Sequence, residues 1–388
     1  MKIEDFFTRE IVTQDNCPNC NHSVTTINWD YIYSIPEFAA LKTLHQSPKW
    51  HSESEYVSGH VEKVIKEAVD YIDSRINVSD YNEYDILLLA AIFHDIGKAT
   101  TTFLKESDGL WHHYGHEIES EKLTRRILWD LGCEVREPVC QLVRWHMEPF
   151  NIMKSKDKVY KMIDLSYKVP SIELLYLLKK FDMTGSVAKD KSMTKNDSYI
   201  LDGFASLAKD LLCFYYPNHS YKTIRDIEYN TSKKPTITVK MYMGLPGAGK
   251  DTAITNANDR NDHCAVICRD DIRIELGYCK EGEKYLGTND EENLVTKTFN
   301  EKLIKAANDG KTIILNNMNN RRKYRDEYKR LLKDYNVCWE YIYVEADSLQ
   351  KNIDRRKGQI NSTVFRKMAE TFEYPTIDEY NYMWIVKS

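Results

Sequence analysis

The run GLPGAGKDT, residues 244–252, has the residue types and order needed to hold a chain of phosphates. Gly244, Gly247 and Gly249 let backbone N–H groups turn inward around anionic oxygens where a Cβ would collide, with Ala248 between them. A helix starting near Lys250 points its positive end at the same anion, and Lys250 reaches the β- and γ-phosphates. The Ser or Thr usual after the lysine is replaced by Asp251, followed by Thr252. A carboxylate there can bind Mg²⁺ directly or through water. These seven positions are expected to bind ATP or another NTP with Mg²⁺. Further on, CAVICRDDIR ends a strand with Arg269, Asp270, Asp271 and Arg273. A carboxylate at the carboxyl end of the neighbouring strand faces the phosphate loop across the cleft, where an acceptor hydroxyl must lie. Asp270 can take the hydroxyl proton, and Arg273 can clamp a phosphate of the acceptor. In the first half, AIFHDIGK sets His94 and Asp95 side by side at the end of an apolar helix, with Lys98 after them. CPNCNH offers Cys17, Cys20 and His22 at the spacing of half a zinc site, and no second CxxC completes it.

Two kinds of scaffold must position these groups. Up to about residue 215 the pattern is helical: VEKVIKEAVDYI, YDILLLAAIFHDI, EIESEKLTRRILWDL and IELLYLLKKF repeat apolar residues at spacings of three and four, and almost nothing reads as a strand. A polar, turn-prone stretch over 216–235 reads as a linker. Beyond it four short β-type runs, ITVKMYM, CAVIC, KTIILNN and WEYIYV, alternate with helical ones, the pattern of a parallel sheet covered by helices. The expected organisation is therefore two domains, an all-α bundle over 1–230 and an α/β P-loop domain over 236–388.

Composition narrows the class. The 388 residues are 42% hydrophobic and 29% charged, as in ordinary soluble globular proteins. Residues 236–388 carry 25 Lys and Arg against 24 Asp and Glu, so the excess behind the net charge of −5 sits in the helical part. That balance excludes a basic nucleic-acid-coating protein but leaves room for a local groove gripping one strand end. The apolar run ending at Phe93 is too short to cross a bilayer, and the acidic start MKIEDFFTREIVTQD has no signal core. Nine scattered cysteines point to a reduced, cytoplasmic setting with no membrane partner.

VICRDDIR after GLPGAGKDT resembles the 5′-hydroxyl polynucleotide kinase family. The resemblance implies that Asp270 is the general base and that Arg273 binds the phosphate on the 3′ side of the acceptor. IILNNMNNRR resembles that family's strand ending in a D-T-N turn, with Asn317 where Asp is expected and Asn319 at the family's Asn. The segment NIDRRKGQINSTVFRKMAETFEYP resembles the helical lid, whose Arg355 and Arg356 would close over the transferring phosphoryl group. The basic run Arg321, Arg322, Lys323 and Arg325 reads as a solvated helix face or a backbone-tracking strip. In the first half, the order His60, His94–Asp95, His116, His146 and Asp182 resembles the HD phosphohydrolase superfamily. It implies one metal held by His60, His94, Asp95 and Asp182, a second held by His116 and His146, and Asp95 bridging. Mn²⁺, Fe²⁺, Ni²⁺ or Co²⁺ suits such a donor set, as one ion or two. Lys98 would meet the substrate phosphate, His51 resembles an extra histidine that precedes the first ligand, and His112 and His113 compete for the role of His116. The order of the two halves resembles the HD-Pnk proteins of RNA end-healing. This implies a 5′-OH kinase and a 2′,3′-cyclic, 2′- or 3′-phosphate phosphohydrolase acting on RNA or DNA strand ends before a ligase. Two other readings stay open: a nucleoside or nucleotide kinase fused to an HD nucleotidase, and a nucleotide-sensing regulator.

Overall fold

The computed structural model describes all residues except 15–16, 75–80, 187–190, 215–233, 281–282 and 284. Side chains are further undescribed at 11–14, 17–22, 81–82, 191–195 and 234–235. Cys17, Cys20 and His22, and nearly all of the expected linker, thus lie outside the described set. The chain forms two compact units, Met1–Asn218 and His219–Ser388.

The first unit begins with a hairpin, β1 (Phe7–Gln14) and β2 (Cys17–Ile27), followed by short helices α1 (Trp29–Ser34) and α2 (Pro36–Ala40). The bundle proper contains α3 (Val57–Asp73), α4 (Tyr81–Phe93) and the single turn α5 (Lys98–Thr101). A small hairpin follows, β3 (Phe103–Lys105) with β4 (Leu110–His112). Helices α6 (His116–Ile127), α7 (Cys133–Trp145), α8 (Glu148–Met153), α9 (Lys158–Ser166), α10 (Ile172–Gly185) and α11 (Lys191–Asp210) complete it. The centre is α4, which packs against α3, α7 and α10. Its residues 87–93 are fully buried, so its last turn delivers His94 and Asp95 into the middle of the core rather than to its surface.

The two hairpins are strands that helical periodicity does not reveal. Phe7 points inward and Thr8 and Glu10 outward, but the next inward position is Arg9, paired with Asp85 at 3.0 Å. A charge in an apolar slot hides the period-two pattern. Strand β2 is fastened to the end of α3 by Asp73, whose carboxylate accepts from Ser23 Oγ (2.9 Å), Thr25 N (2.9 Å) and Thr25 Oγ1 (2.7 Å).

The second unit is α/β, with β5 (Lys234–Met243), α12 (Lys250–Asn256), β6 (Cys264–Ile267), α13 (Arg269–Glu275) and α14 (Asn289–Asn308). It continues through β7 (Thr312–Asn316), α15 (Arg322–Leu331), β8 (Tyr335–Glu345), α16 (Leu349–Arg355), α17 (Ser362–Glu370) and β9 (Tyr382–Lys387). The sheet order is β6-β7-β5-β8-β9 and every neighbouring pair is parallel. The central strands bury consecutive residues, as Ile313, Ile314 and Leu315 show, because helices cover both faces. Four of the five strands read as β-type runs in the sequence, although β6 at one edge buries only Ile267. Edge strand β9 exposes Tyr382 and Trp384 by more than half, so its sequence lacks a buried run.

One buried ion pair ties α15 to the segment that precedes β9. Arg325 on α15 is fully buried and donates twice to Glu379 (2.6 and 2.9 Å) and to the carbonyls of Asn319 (3.1 Å) and Glu373 (2.9 Å). Arg322 pairs with Asp378. The basic run is thus divided between structure and solvent, and the solvated-face reading fails at Arg325 because all its donors are taken internally. Glu379→Ala would leave a guanidinium buried without its counter-charge, at a cost of about 3–5 kcal/mol. Chemical denaturation followed by circular dichroism should show that loss, and replacing both partners with apolar residues should recover most of it.

Candidate metal centre and phosphate-binding loop

Helix ends build the first site. His94 follows α4, His116 opens α6, His146 follows α7, His60 lies on α3, and Asp182 lies on α10. Three rings fold back on the turn before them: Nδ1 of His94 meets Ala91 O (2.9 Å), that of His116 meets His113 O (2.9 Å) and that of His146 meets Val143 O (2.8 Å). A carbonyl only accepts, so each neutral ring carries its proton on Nδ1 and presents a bare Nε2. Gly97 permits the packing behind this arrangement. A Cβ there would lie 2.3 Å from His116 O and 2.4 Å from Ser120 N, so only glycine lets the turn after Asp95 rest on the start of α6.

The ring nitrogens converge on Asp95. Its Oδ2 lies 3.3 Å from His94 Nε2 and 3.5 Å from His60 Nε2, and its Oδ1 lies 3.3 Å from His116 Nε2. His116 Nε2 and His146 Nε2 are 3.2 Å apart. Asp182 Oδ1 stands 3.1 Å from His60 Nε2 and 4.0 Å from His94 Nε2. Ligand atoms group within metal-binding reach as His60, His94 and Asp95 and again as Asp95, His116 and His146, so one carboxylate serves both sets. His112 and His113 belong to neither. His112 turns to Asp108 (3.0 Å) and His113 to Thr102 Oγ1 (2.8 Å).

The electrostatics match a site made for cations. Burial, then the neighbouring His116 and His94, holds the His146 imidazole well below its ordinary value, and burial likewise lowers His116. Two unprotonated nitrogens facing each other at 3.2 Å repel unless something positive lies between or beside them. His94 Nε2 is buried with no hydrogen-bond partner, a cost that a coordinate bond removes. Burial pushes the carboxyls of Asp95 and Asp182 up, but the ammonium groups of Lys98 and Lys179 and the adjacent histidines outweigh it and hold both well below the usual range. Each lysine lies 2.6 Å from its aspartate. The donor set fits one or two divalent transition ions.

The second site lies at the carboxyl ends of β5, β6 and β7. Gly247 and Gly249 have φ of +76° and +91°, and a Cβ on Gly247 would lie 2.9 Å from Asn352 O and 3.3 Å from Arg356 Cγ. The loop is therefore roofed by α16 and the residue after it. Arg355 donates to Gly247 O (2.9 Å), and Asn352 donates to Pro246 O (3.1 Å). Lys250 Nζ donates to the carbonyls of Gly244 (3.0 Å) and Leu245 (3.2 Å), and burial lowers its pKa to about 8. Asp251 accepts from Arg260 (3.0 Å) and Asn316 Nδ2 (2.8 Å). Asp271 is raised by its partial burial and then by the charge of Asp251, a repulsion a cation would relieve.

In the last turn of α13, Arg273 joins Asp270 (2.5 Å), from the first turn, to Glu292 (2.8 and 3.1 Å). Arg269 also reaches Glu292 (2.7 Å). Asn317 Oδ1 accepts from Arg269 N (3.0 Å). Asn319, at φ +48°, donates to Tyr242 O (2.8 Å) and so shapes the turn after β7. Glu53, Lys179 and Glu292 carry contacts that sequence reasoning missed. Glu53, two residues after His51, and Lys179, three before Asp182, sat near recognisable motifs, and Glu292 did not.

Comparison with known families follows this division. Residues 60–184 match the HD domain and residues 239–375 match the AAA domain. No curated protein matches the chain. Among solved structures, one titled as the Pnkp1/Rnl/Hen1 complex aligns at 17% identity and a TM-score of 0.28, over 34% of this chain and 43% of that one. This chain therefore spans less than half of that relative. A gluconokinase from Sinorhizobium meliloti 1021 aligns at 17% identity and a TM-score of 0.26, over 40% of this chain and 83% of that one. Likenesses this distant carry no weight for function. The chain carries an HD domain followed by a P-loop, kinase-like AAA domain.

Proposed function

We propose that the chain heals polynucleotide ends, phosphorylating 5′-hydroxyls in its second unit and removing 2′,3′-cyclic, 2′- or 3′-phosphates in its first. The observation that carries the kinase half is the pairing of Asp270 with Arg273 at the strand end beside the phosphate loop. An acceptor there needs a base for its hydroxyl and a cation for its own phosphate, and a nucleic-acid 5′ end supplies both groups within one nucleotide.

In the kinase unit, Gly244, Gly247, Ala248, Gly249, Lys250 and Thr252 would cradle the NTP phosphates, and Asp251 would supply a carboxylate for Mg²⁺. The nucleotide supplies the γ-phosphoryl group. Asp270 accepts the acceptor proton on a carboxylate oxygen. Arg273 exchanges Glu292 for the acceptor phosphate, and Arg355 and Arg356 neutralise charge at the loop. In the HD unit, His60, His94, Asp95, His116, His146 and Asp182 would hold the ions. Bound divalent cations lower the pKa of water and polarise a phosphoryl oxygen. Lys98, buried against Asp95, would meet a phosphate at that centre.

Transfer of labelled γ-phosphate to a 5′-OH oligonucleotide, measured against free nucleosides, tests the substrate class. A preference for nucleosides would favour nucleotide metabolism instead. Asp270→Ala should reduce transfer at least a hundredfold while ATP still binds. Because Lys250 is depressed to about 8, the free protein loses this charge as pH rises through 8. ATP affinity should fall between pH 7 and 9.5, and Lys250→Arg should flatten the profile in a titration by calorimetry. Asp95→Asn should abolish metal-dependent phosphate release from 2′,3′-cyclic ends and leave the kinase intact, as separate assays would show.

A further inference from the structure

Three of the four converging histidines orient themselves on main-chain carbonyls, but His60 does not. Its Nδ1 faces Glu53 Oε1 at 3.3 Å, and the same oxygen lies 2.9 Å from His51 Nδ1. The side chains of Glu53 and His60 are both fully buried, and that of His51 is 17% exposed. A carbonyl would set the ring's tautomer without bringing a charge into the core, as it does for His94, His116 and His146. Placing a carboxylate there is costly unless its charge is used. On the far side of a metal-binding imidazole, that charge raises the basicity of the opposite nitrogen and strengthens its bond to a cation.

The two ligand sets then differ in the carboxylate that stands behind their rings. The set around His60 and His94 has Asp95 and Asp182 beside it, the latter paired with Lys179, and the fully buried side chain of Glu53 behind it, 3.3 Å from His60 Nδ1. The set around His116 and His146 has the shared Asp95 and two rings whose Nδ1 atoms bond to carbonyls, with the only carboxylate behind them, Glu117, more distant (3.7 Å from His116 Nδ1) and partly exposed. We propose that Glu53 is a positioning residue for His60 that makes the His60–His94–Asp95–Asp182 site the tighter of two, so that the centre fills in two steps. This rests on the metal-centre reading and is independent of which phosphate ester is cleaved.

The test is calorimetric titration of Mn²⁺ into the full chain after chelator treatment. The wild type should show a tight and a weak step, and His146→Ala should remove the weak one. Glu53→Gln keeps the side chain's shape and a hydrogen-bonding oxygen. It should weaken the tight step about ten- to a hundredfold, while circular dichroism shows an unchanged fold. Glu53→Asp should recover part of the loss. Two equal sites in the wild type, or a Glu53→Gln isotherm that overlays it, would overturn the assignment. Absence of any saturable uptake by the wild type would instead overturn the metal-centre reading beneath it.

Discussion

The first unit depends on a single electrostatic constraint: a buried carboxylate, paired with Lys98, on which the side-chain nitrogens of His60, His94 and His116 converge. The rings of His94, His116 and His146 spend their N–H groups on carbonyls of the preceding turn, so the atoms aimed at Asp95 are lone pairs. Lone pairs converging in a desolvated core are unfavourable, and Lys98 and Lys179 pair with the two aspartates rather than with these rings. A bound divalent cation would satisfy the ring nitrogens. The helix packing serves this arrangement, with α4 buried along 87–93 so that its end lies deep and Gly97 allowing α6 to approach.

The second unit solves the opposite problem, holding positive charge ready for anions. Its key cations have internal partners: Lys250 on loop carbonyls, Arg355 on Gly247 O, and Arg273 between Asp270 and Glu292. These partners are neutral or exchangeable, so an incoming phosphate competes for groups already aimed at its position rather than ordering loose side chains. Arg325 is the contrast. Fully buried and bonded twice to Glu379, it is structural, although it sits in the same basic run as the exposed Lys323.

Chemistry confined to a short stretch is legible from residue order alone. The phosphate loop needs glycines, a lysine and a helix start within nine residues, and the adjacent strand supplies its context. The His94–Asp95 pair announces itself because an apolar helix ends in two ligands. Two fold types follow from a change of hydrophobic period near residue 215. Tertiary structure decided the rest. It chose His116 over His112 and His113, set Glu53 behind His60, placed Glu292 on Arg273 and buried Arg325. The reason is distance along the chain. His60 and Asp182 meet across 122 positions, and Arg325 and Glu379 across 54. Periodicity tells which face of a helix is buried, but which nitrogens and oxygens meet there depends on how separate helices cross, and no local pattern records that.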